Sequence, residues 1–371
     1  MSNQLFQSIK GKRVFVTGHT GFKGPWLCLW LQRLGAEVTG YSWTPPTTPN
    51  HFSISQIEST LARHIEGDIR DESKMHAAMR EATPDLIIHM AAQTVVLEGY
   101  RSPRETFDIN TVGTACLLDG VRGLDKPCSV IVVSSDKCYE NREQVWGYRE
   151  SDAFGSPDPY GASKGSTEIV VQSYRSSFFP EEKISEHGVK LASARAGNVI
   201  GGGDWTADAL LVDLIAAISQ NKPAHIRNPG AYRPWQHVLS CLSGYLTLAD
   251  RLLSSDDPTY CSGWNFGPVP GNELPVRDIV ERFLSVWGHG SWQDCSDPEQ
   301  PHESTILRLT IDKALWQLHW RPVWGIDEAL QHTVDWYKHY FTDSAHNMRD
   351  FSLGQIEVFE RAYRSAHGLT R

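Results

Sequence analysis

The sequence predicts an α/β protein, a doubly wound parallel sheet followed by a smaller C-terminal α/β lobe. Three observations predict it. Short apolar runs such as "RVFVTG" (13–18) and "SVIVVSS" (129–135) alternate with helical stretches through the first half of the chain. Runs of that kind read as strands buried on both faces, as in a parallel sheet covered by helices. The first run ends in a glycine-rich turn that opens a helix. Beyond residue 200 the alternation loosens, and glycine and proline punctuate the chain, as in "NPGAYRP" and "FGPVPGNELP".

The elements follow in order. "PWLCLWLQRLG" (25–35) reads as a helix ended by Gly35, and "AEVTGYS" (36–42) as a second strand. "GDIRD" (67–71) ends a third strand and "DLIIHMAA" (85–92) is a fourth. Helices are expected over 104–123 and 159–178, with a strand "VKLASARAGNV" at 189–199 between them and the looser half. "IDEALQHTVDWYKHYF" (326–341) has strong helical patterning. The expected division is a dinucleotide-binding domain at 1–195 with a returning segment at about 232–262. A substrate lobe takes 196–231 and 263–371.

Composition excludes several classes. The 371 residues are 40% hydrophobic and 21% charged, which is globular rather than disordered. The net charge is −9 and no basic block stands out, so nucleic acid is not an expected partner. No stretch approaches the roughly 20 apolar residues of a membrane span. The N-terminal "MSNQLFQSIKGKRVF" lacks the apolar core of a signal peptide, so a cytoplasmic protein is expected. Seven scattered cysteines without a CxxC read as reduced thiols, and fifteen histidines without ligand spacing predict no metal.

The turn after the first strand is "VTGHTGFKG" (16–24), which places Gly18, Gly21 and Gly24 three residues apart. The first allows a tight turn, the second a close backbone approach to a pyrophosphate, and the third close helix–strand packing. A helix N-terminus then faces the phosphates. Strand, loop and helix in that order predict dinucleotide binding. The second strand ends in Tyr41, Ser42 and Trp43, with neither an acid for a ribose 2′-hydroxyl nor an arginine for a 2′-phosphate. Charge alone therefore leaves NAD and NADP undecided. Asp68 and Ile69, after the third strand, are placed to border an adenine, although Asp68 would serve equally as a helix N-cap.

The chemistry is carried by "VVSSDKCYE" (132–140) and "YGASK" (160–164). Tyr160 and Lys164 share one helix face. A cationic lysine favours the phenolate, and a tyrosine so tuned takes a proton from an alcohol while hydride leaves the same carbon. Ser135, at a strand end, can hold the same oxygen. Asp136 and Lys137 follow at once. A Tyr–Lys pair by itself is usually only a surface pair; the glycine loop and the strand-end serine give this one its weight.

This set resembles the short-chain dehydrogenase/reductase superfamily in its extended, nucleotide-sugar-modifying form, over nearly the whole chain. Further matching pieces are "HMAAQ" (89–93), "INTVGT" (109–114), "RAGNVIGGGDW" (195–205), "RPWQHV" (233–238) and "WNFGP" (264–268). Asp136-Lys137, where most nucleotide-sugar 4,6-dehydratases carry Asp-Glu, makes the chain similar to the CDP-glucose 4,6-dehydratase branch. The resemblance implies NAD as cofactor, held by Gly18, Thr20, Gly21, Phe22, Lys23, Gly24, Asp68, Ile69, Ala91, Ala92, Gln93 and Asn110, with Tyr160 and Lys164. It implies Ser135, Asp136, Lys137, Tyr160 and Lys164 as catalytic residues. Asp136 would protonate the departing 6-hydroxyl. Lys137 would act at C5, either as a neutral base or as a cation stabilising the enolate. Asn198 and Arg233 are expected at the substrate pyrophosphate, Arg227 near the nucleotide base, and His237 beside them.

Two stretches depart from the branch. Leu97 and Glu98 stand where it carries an arginine, and Ala209 and Val212 stand where it has an arginine and a proline. Two cations expected near an anionic substrate are thus missing, which leaves another nucleotide sugar open as substrate. The rival readings are a nucleotide-sugar epimerase, which needs no Asp136-Lys137 pair, and a dinucleotide-binding regulator, which typically loses the Tyr–Lys pair. The resemblance also implies a homodimer or dimer of dimers built on helices 104–123 and 159–178, and a role in deoxysugar supply to bacterial surface polysaccharide such as O-antigen.

Overall fold

The computed structural model describes residues 5–369 except 270, 272, 298–303 and 343–346. The chain begins with β1 (Arg13–Thr17), α1 (Lys23–Arg33) and β2 (Glu37–Ser42), then a short α2 (His51–Ile54) and β3 (Arg63–Glu66). There follow α3 (Glu72–Ala82), β4 (Leu86–His89), α4 (Val96–Arg101), α5 (Pro103–Phe107), α6 (Gly113–Arg122) and β5 (Cys128–Val133). Next come α7 (Pro159–Ser177), a short α8 (Ile184–His187) and β6 (Val189–Ala196). Four strands of two or three residues are interspersed with longer helices: β7 (Val199–Ile200), α9 (Leu210–Ser219), β8 (Ala224–Ile226), β9 (Tyr232–Arg233), β10 (Gln236–His237) and α10 (Val238–Ser254). The chain closes with β11 (Gly263–Phe266), β12 (Leu274–Pro275), α11 (Val276–Trp287), β13 (Trp292–Asp294), α12 (Ile326–Thr342) and α13 (Met348–Ala366).

Seven strands form one parallel sheet in the order β11-β6-β5-β4-β1-β2-β3. The order reverses between β1 and β4. In such sheets the crevice beyond the carboxyl ends of the strands at that reversal is where ligands bind. Successive side chains alternate between two cores, as the strand period of two requires. Val14 and Val16 of β1 join one core with α1, α10, α12 and α13; Phe15 joins the other with α3, α6 and α7. The expected doubly wound sheet is present, and the expected looser half supplies the small paired strands β7–β10, β8–β13 and β9–β12.

Differences from the expected elements have local causes. The helix expected over 104–123 is α5, a π-helical turn at Asp108–Val112, and α6. Such bulges concentrate at functional sites, and this one carries Asn110. The helix expected from residue 25 begins at Lys23, so Gly24 lies in its first turn. The strand before Ser135 stops at Val133, and Ser135 caps a 3-10 turn at Asp136–Cys138. The returning segment supplies α10 against the sheet and continues through β11 at the sheet edge. From the far end, α13 packs on α1, where Trp30 Nε1 donates to Glu360 at 3.0 Å. No described helix is long and apolar enough to cross a membrane.

Candidate active site

The carboxyl ends of the central strands open into one cavity of about 1200 Å³. That exceeds the roughly 300–1,000 Å³ of a single small-molecule site, so the space suits two ligands side by side. One end is built by the glycine loop. Gly18 has φ +74°, and a Cβ there would lie 2.6 Å from the Ala91 nitrogen. A Cβ on Gly24 would lie 2.3 Å from the His19 carbonyl oxygen. Both glycines are thus needed for the loop to close on itself and on the chain after β4. Gly21 differs: a Cβ would meet only the Gly18 oxygen, at 3.5 Å. Gly21 lines the cavity and leaves its backbone bare to a ligand.

The loop is held by buried polar contacts. Thr20 and Ser42 hydroxyls are 2.7 Å apart, and Thr20 Oγ1 donates to the Trp43 carbonyl at 3.0 Å. Thr17 Oγ1 accepts the Met90 and Ala91 N–H groups at 3.2 Å and meets His89 Nδ1 at 2.7 Å. Burial lowers the His19 pKa to about 3, so this loop imidazole, 2.7 Å from His64, stays neutral. Trp43, Gly67 and Ile69 line the cavity beyond the loop. Trp43 is a residue that motif reading passed over; its indole lies 5.4 Å from the Arg70 guanidinium.

The Asp136–Cys138 turn closes the middle of the cavity, where Ser135, Asp136, Lys137, Tyr160 and Lys164 all face the same space. The Ser134 hydroxyl accepts the Ser135 N–H at 2.7 Å, and Ser135 Oγ accepts the Lys137 N–H at 3.2 Å. Ser135 Oγ donates to Asp136 Oδ1 at 2.9 Å. Asp136 Oδ2 is buried without a hydrogen-bond partner. Burial raises the Asp136 pKa above the usual carboxyl range, against the opposing pull of Lys137, Ser135 and Arg233. Burial thus favours the protonated form of a carboxyl whose free oxygen faces the cavity.

The tyrosine departs from expectation. In the protein alone, burial pushes the Tyr160 phenol up, with Ser135 opposing and the Asp136 charge adding to the rise. Lys164, its amine itself deeply buried, is not among the leading causes. Its pKa is lowered to about 8, first by burial and then by Lys23. Its Nζ donates to the Val133 carbonyl at 3.5 Å.

The far end of the cavity carries Asn198, Arg227 and Arg233. Arg227 Nη1 lies 3.3 Å from Asp208, and Arg233 Nη1 donates to the Tyr232 carbonyl at 2.9 Å. Leu97, Glu98, Ala209 and Val212, the four departures from the branch pattern, also line the cavity. Glu98 stands one residue from Gly99, where a Cβ would lie 3.1 Å from the Tyr160 nitrogen. The altered side chains therefore belong to the pocket wall and not to a remote surface.

Three expected site residues stand elsewhere. His237 is fully buried, its Nδ1 accepting the Leu239 N–H at 3.2 Å to cap α10, and its ring lies 4.9 Å from Trp324. It is a core residue and not a substrate contact. Asp68 turns its carboxylate to Arg70, which donates to both oxygens, so it does not face the cavity. Asn110 accepts the Gln93 N–H at 2.8 Å and donates to the Gln93 carbonyl at 3.0 Å and to Ser163 Oγ at 2.8 Å. Its amide is spent on positioning Gln93 and α7. Phe22, Lys23, Ala91, Ala92 and Gln93 line the cavity as expected.

This glycine-cradled crevice with a Ser–Tyr–Lys set defines a nucleotide-sugar-modifying enzyme of the extended short-chain dehydrogenase/reductase type. Residues 15–256 match the model of the GDP-mannose 4,6 dehydratase family, and the chain belongs to that family. It is 46% identical to a CDP-glucose 4,6-dehydratase of Salmonella typhimurium over 89% of this chain and 91% of that protein. It is 27% identical to a GDP-mannose 4,6-dehydratase of Vibrio cholerae over 73% of this chain and 70% of that protein. Among solved structures, a dTDP-glucose 4,6-dehydratase from Streptomyces venezuelae, solved with NAD bound, shares the fold. The TM-score is 0.75 at 20% identity, covering 90% of this chain and 99% of that one. A UDP-glucose 4-epimerase from Thermotoga maritima matches equally, with TM-score 0.75 at 21% identity over 88% and 99% of the two chains.

Proposed function

We propose that this protein converts CDP-glucose to CDP-4-dehydro-6-deoxyglucose and water, with NAD as resident cofactor. The observation that carries the reading is Asp136: a buried carboxyl whose pKa is raised, one oxygen unpartnered, the other accepting the Ser135 hydroxyl beside Tyr160. An enzyme that only oxidises and re-reduces C4 has no use for a second proton donor there. The 46% relative, a CDP-glucose 4,6-dehydratase, supports the choice of nucleotide and sugar.

The residues fit a dinucleotide. The bare Gly21 backbone and the N-terminus of α1 suit a pyrophosphate, Trp43, Gly67 and Ile69 would border an adenosine, and Lys164 would hold the nicotinamide ribose. NAD, when bound, takes up hydride from the sugar C4 and returns it at C6. Every other step belongs to the chain. Ser135 holds the C4 oxygen and Tyr160 takes its proton. Tyr160 needs a positive charge beside it for this, and Lys164 and the oxidised cofactor ring are the two available sources. The new ketone acidifies the C5 proton, and Lys137 acts at that carbon. Asp136 gives its proton to the departing 6-hydroxyl, so that water leaves. Asn198 and Arg233 grip the substrate pyrophosphate, and Arg227 borders its base.

The division into a dinucleotide domain and a substrate lobe accounts for the two ends of the cavity. We read the oligomer as a dimer through the 104–123 segment and α7, where Val112 of the π turn, Ile169 of α7 and Phe178 just after it are exposed. The test is to offer CDP-, UDP-, dTDP- and GDP-glucose with added NAD. Loss of one water from CDP-glucose supports the reading. A C4 or C2 epimer without water loss would replace it with the epimerase reading.

A further inference from the structure

Behind the catalytic turn lies a buried ion pair that the reaction itself does not touch. Arg195, near the carboxyl end of β6, donates through Nε to Glu168 Oε1 and through Nη2 to Glu168 Oε2, both at 2.8 Å. The two side chains are 4% and 2% exposed. A buried pair adds little stability over an apolar packing of the same volume, and losing one partner is strongly destabilising. Its presence therefore calls for another use.

Its neighbours suggest one. Glu168 Oε2 also accepts the Ser193 hydroxyl at 2.7 Å, and the nearby Ser134 hydroxyl helps hold the same carboxyl below its usual range. Ser134 Oγ in turn accepts the Ser135 N–H at 2.7 Å. One hydroxyl thus links the ion pair to the catalytic serine. From its other side, Arg195 Nη1 donates to the Tyr139 hydroxyl at 2.7 Å, which donates to Asn265 Oδ1 at 2.7 Å. Tyr139 immediately follows the turn that carries Asp136 and Lys137. Glu168 also stands one helical turn beyond Lys164 on α7, on the same face. Arg195 and Glu168 also line a second cavity of about 790 Å³.

We propose that the Glu168–Arg195 pair is a positioning unit: it sets Ser135 through Ser134, anchors the Asp136–Cys138 turn through Tyr139, and supplies the negative charge that faces Lys164. The charged and titratable groups bearing on Lys164 are Lys23 from α1, Cys138 from the turn, His89 from β4 and Glu168 from its own helix. Glu168 is the one carboxylate among them. Lys23 and Glu168 oppose each other at the amine, Lys23 lowering its pKa and Glu168 raising it.

This inference rests on the reading above, and the experiment separates the two. If wild type dehydrates no nucleotide sugar, that reading fails. The inference is then judged by the titration of the Lys164 amine, followed by NMR in selectively labelled protein. Glu168→Gln removes the negative charge, so the Lys164 titration and the basic limb of the kcat–pH profile should both move down by about one pH unit. Glu168→Asp keeps the charge and should keep the limb in place while turnover falls. A folded Glu168→Gln protein with reduced turnover and an unmoved limb and titration would make the pair merely structural. If Glu168→Gln does not fold, Ser134→Ala decides, since it cuts the link without stranding a charge. It should lower kcat roughly tenfold with KM little changed; an unaltered kcat would overturn the proposal.

Discussion

Asp136 is defined by what surrounds it more than by what it is. Its folded pKa is raised, chiefly by burial. Between the unfolded and the folded value the native chain binds the extra proton, so stability falls as pH rises through that window. Asp136→Asn removes the dependence. The variant should melt higher than wild type at pH 8, by about 1 kcal/mol, with the gap closing toward pH 4, while dehydration falls by at least roughly 10²-fold. Melting curves across pH beside turnover check both halves. Lys137→Ala should separate the steps differently. Oxidation at C4 should persist as a transient NADH absorbance, while exchange of the C5 proton with deuterated solvent should slow sharply; unchanged exchange would remove Lys137 from C5. The set Ser135, Asp136, Lys137, Tyr160 and Lys164 was legible because strand-end position and helical spacing both point side chains the same way. His237 was not. It belongs to a two-residue strand, too short for a period to say which side chain faces in.

The glycine loop acts as an element, and its three glycines do different work. Gly18→Ala forces a side chain into φ +74° and against the Ala91 backbone. It should destabilise the protein by roughly 1–3 kcal/mol. Gly21→Ala meets only an ordinary contact at 3.5 Å. That variant should fold normally and bind NAD roughly tenfold more weakly, because the methyl group occupies the approach to the pyrophosphate. Calorimetric melts and cofactor titration separate the two. The order of strands and helices was readable from apolar runs and glycine punctuation. The π turn at Asp108–Val112 was not, because a single wider turn shifts the helical spacing too briefly to stand out in a short run of residues. The Glu168–Arg195 pair was equally hidden, since its partners are 27 residues apart and meet only when α7 lies on β6.

At the scale of the whole molecule, two ends of one cavity divide the labour. The sheet domain holds the cofactor end, and the segments after β6 supply Asn198, Arg227 and Arg233 at the other. Leu97, Glu98, Ala209 and Val212, the four departures from the branch pattern, lie on this wall, and the proposed function leaves Arg227, Arg233 and backbone groups to meet the anion. A dimer through the 104–123 segment and α7 predicts that Ile169→Glu, on an exposed apolar position, shifts the protein from dimer to monomer in sedimentation while leaving the cavity intact. The central claim is that one enzyme-held hydride moves from C4 to C6 within a single substrate molecule. Turnover of CDP-glucose carrying deuterium at C4 tests it most directly. The account predicts product with that deuterium at C6 and one water lost. Deuterium retained at C4, or released to solvent, would contradict it.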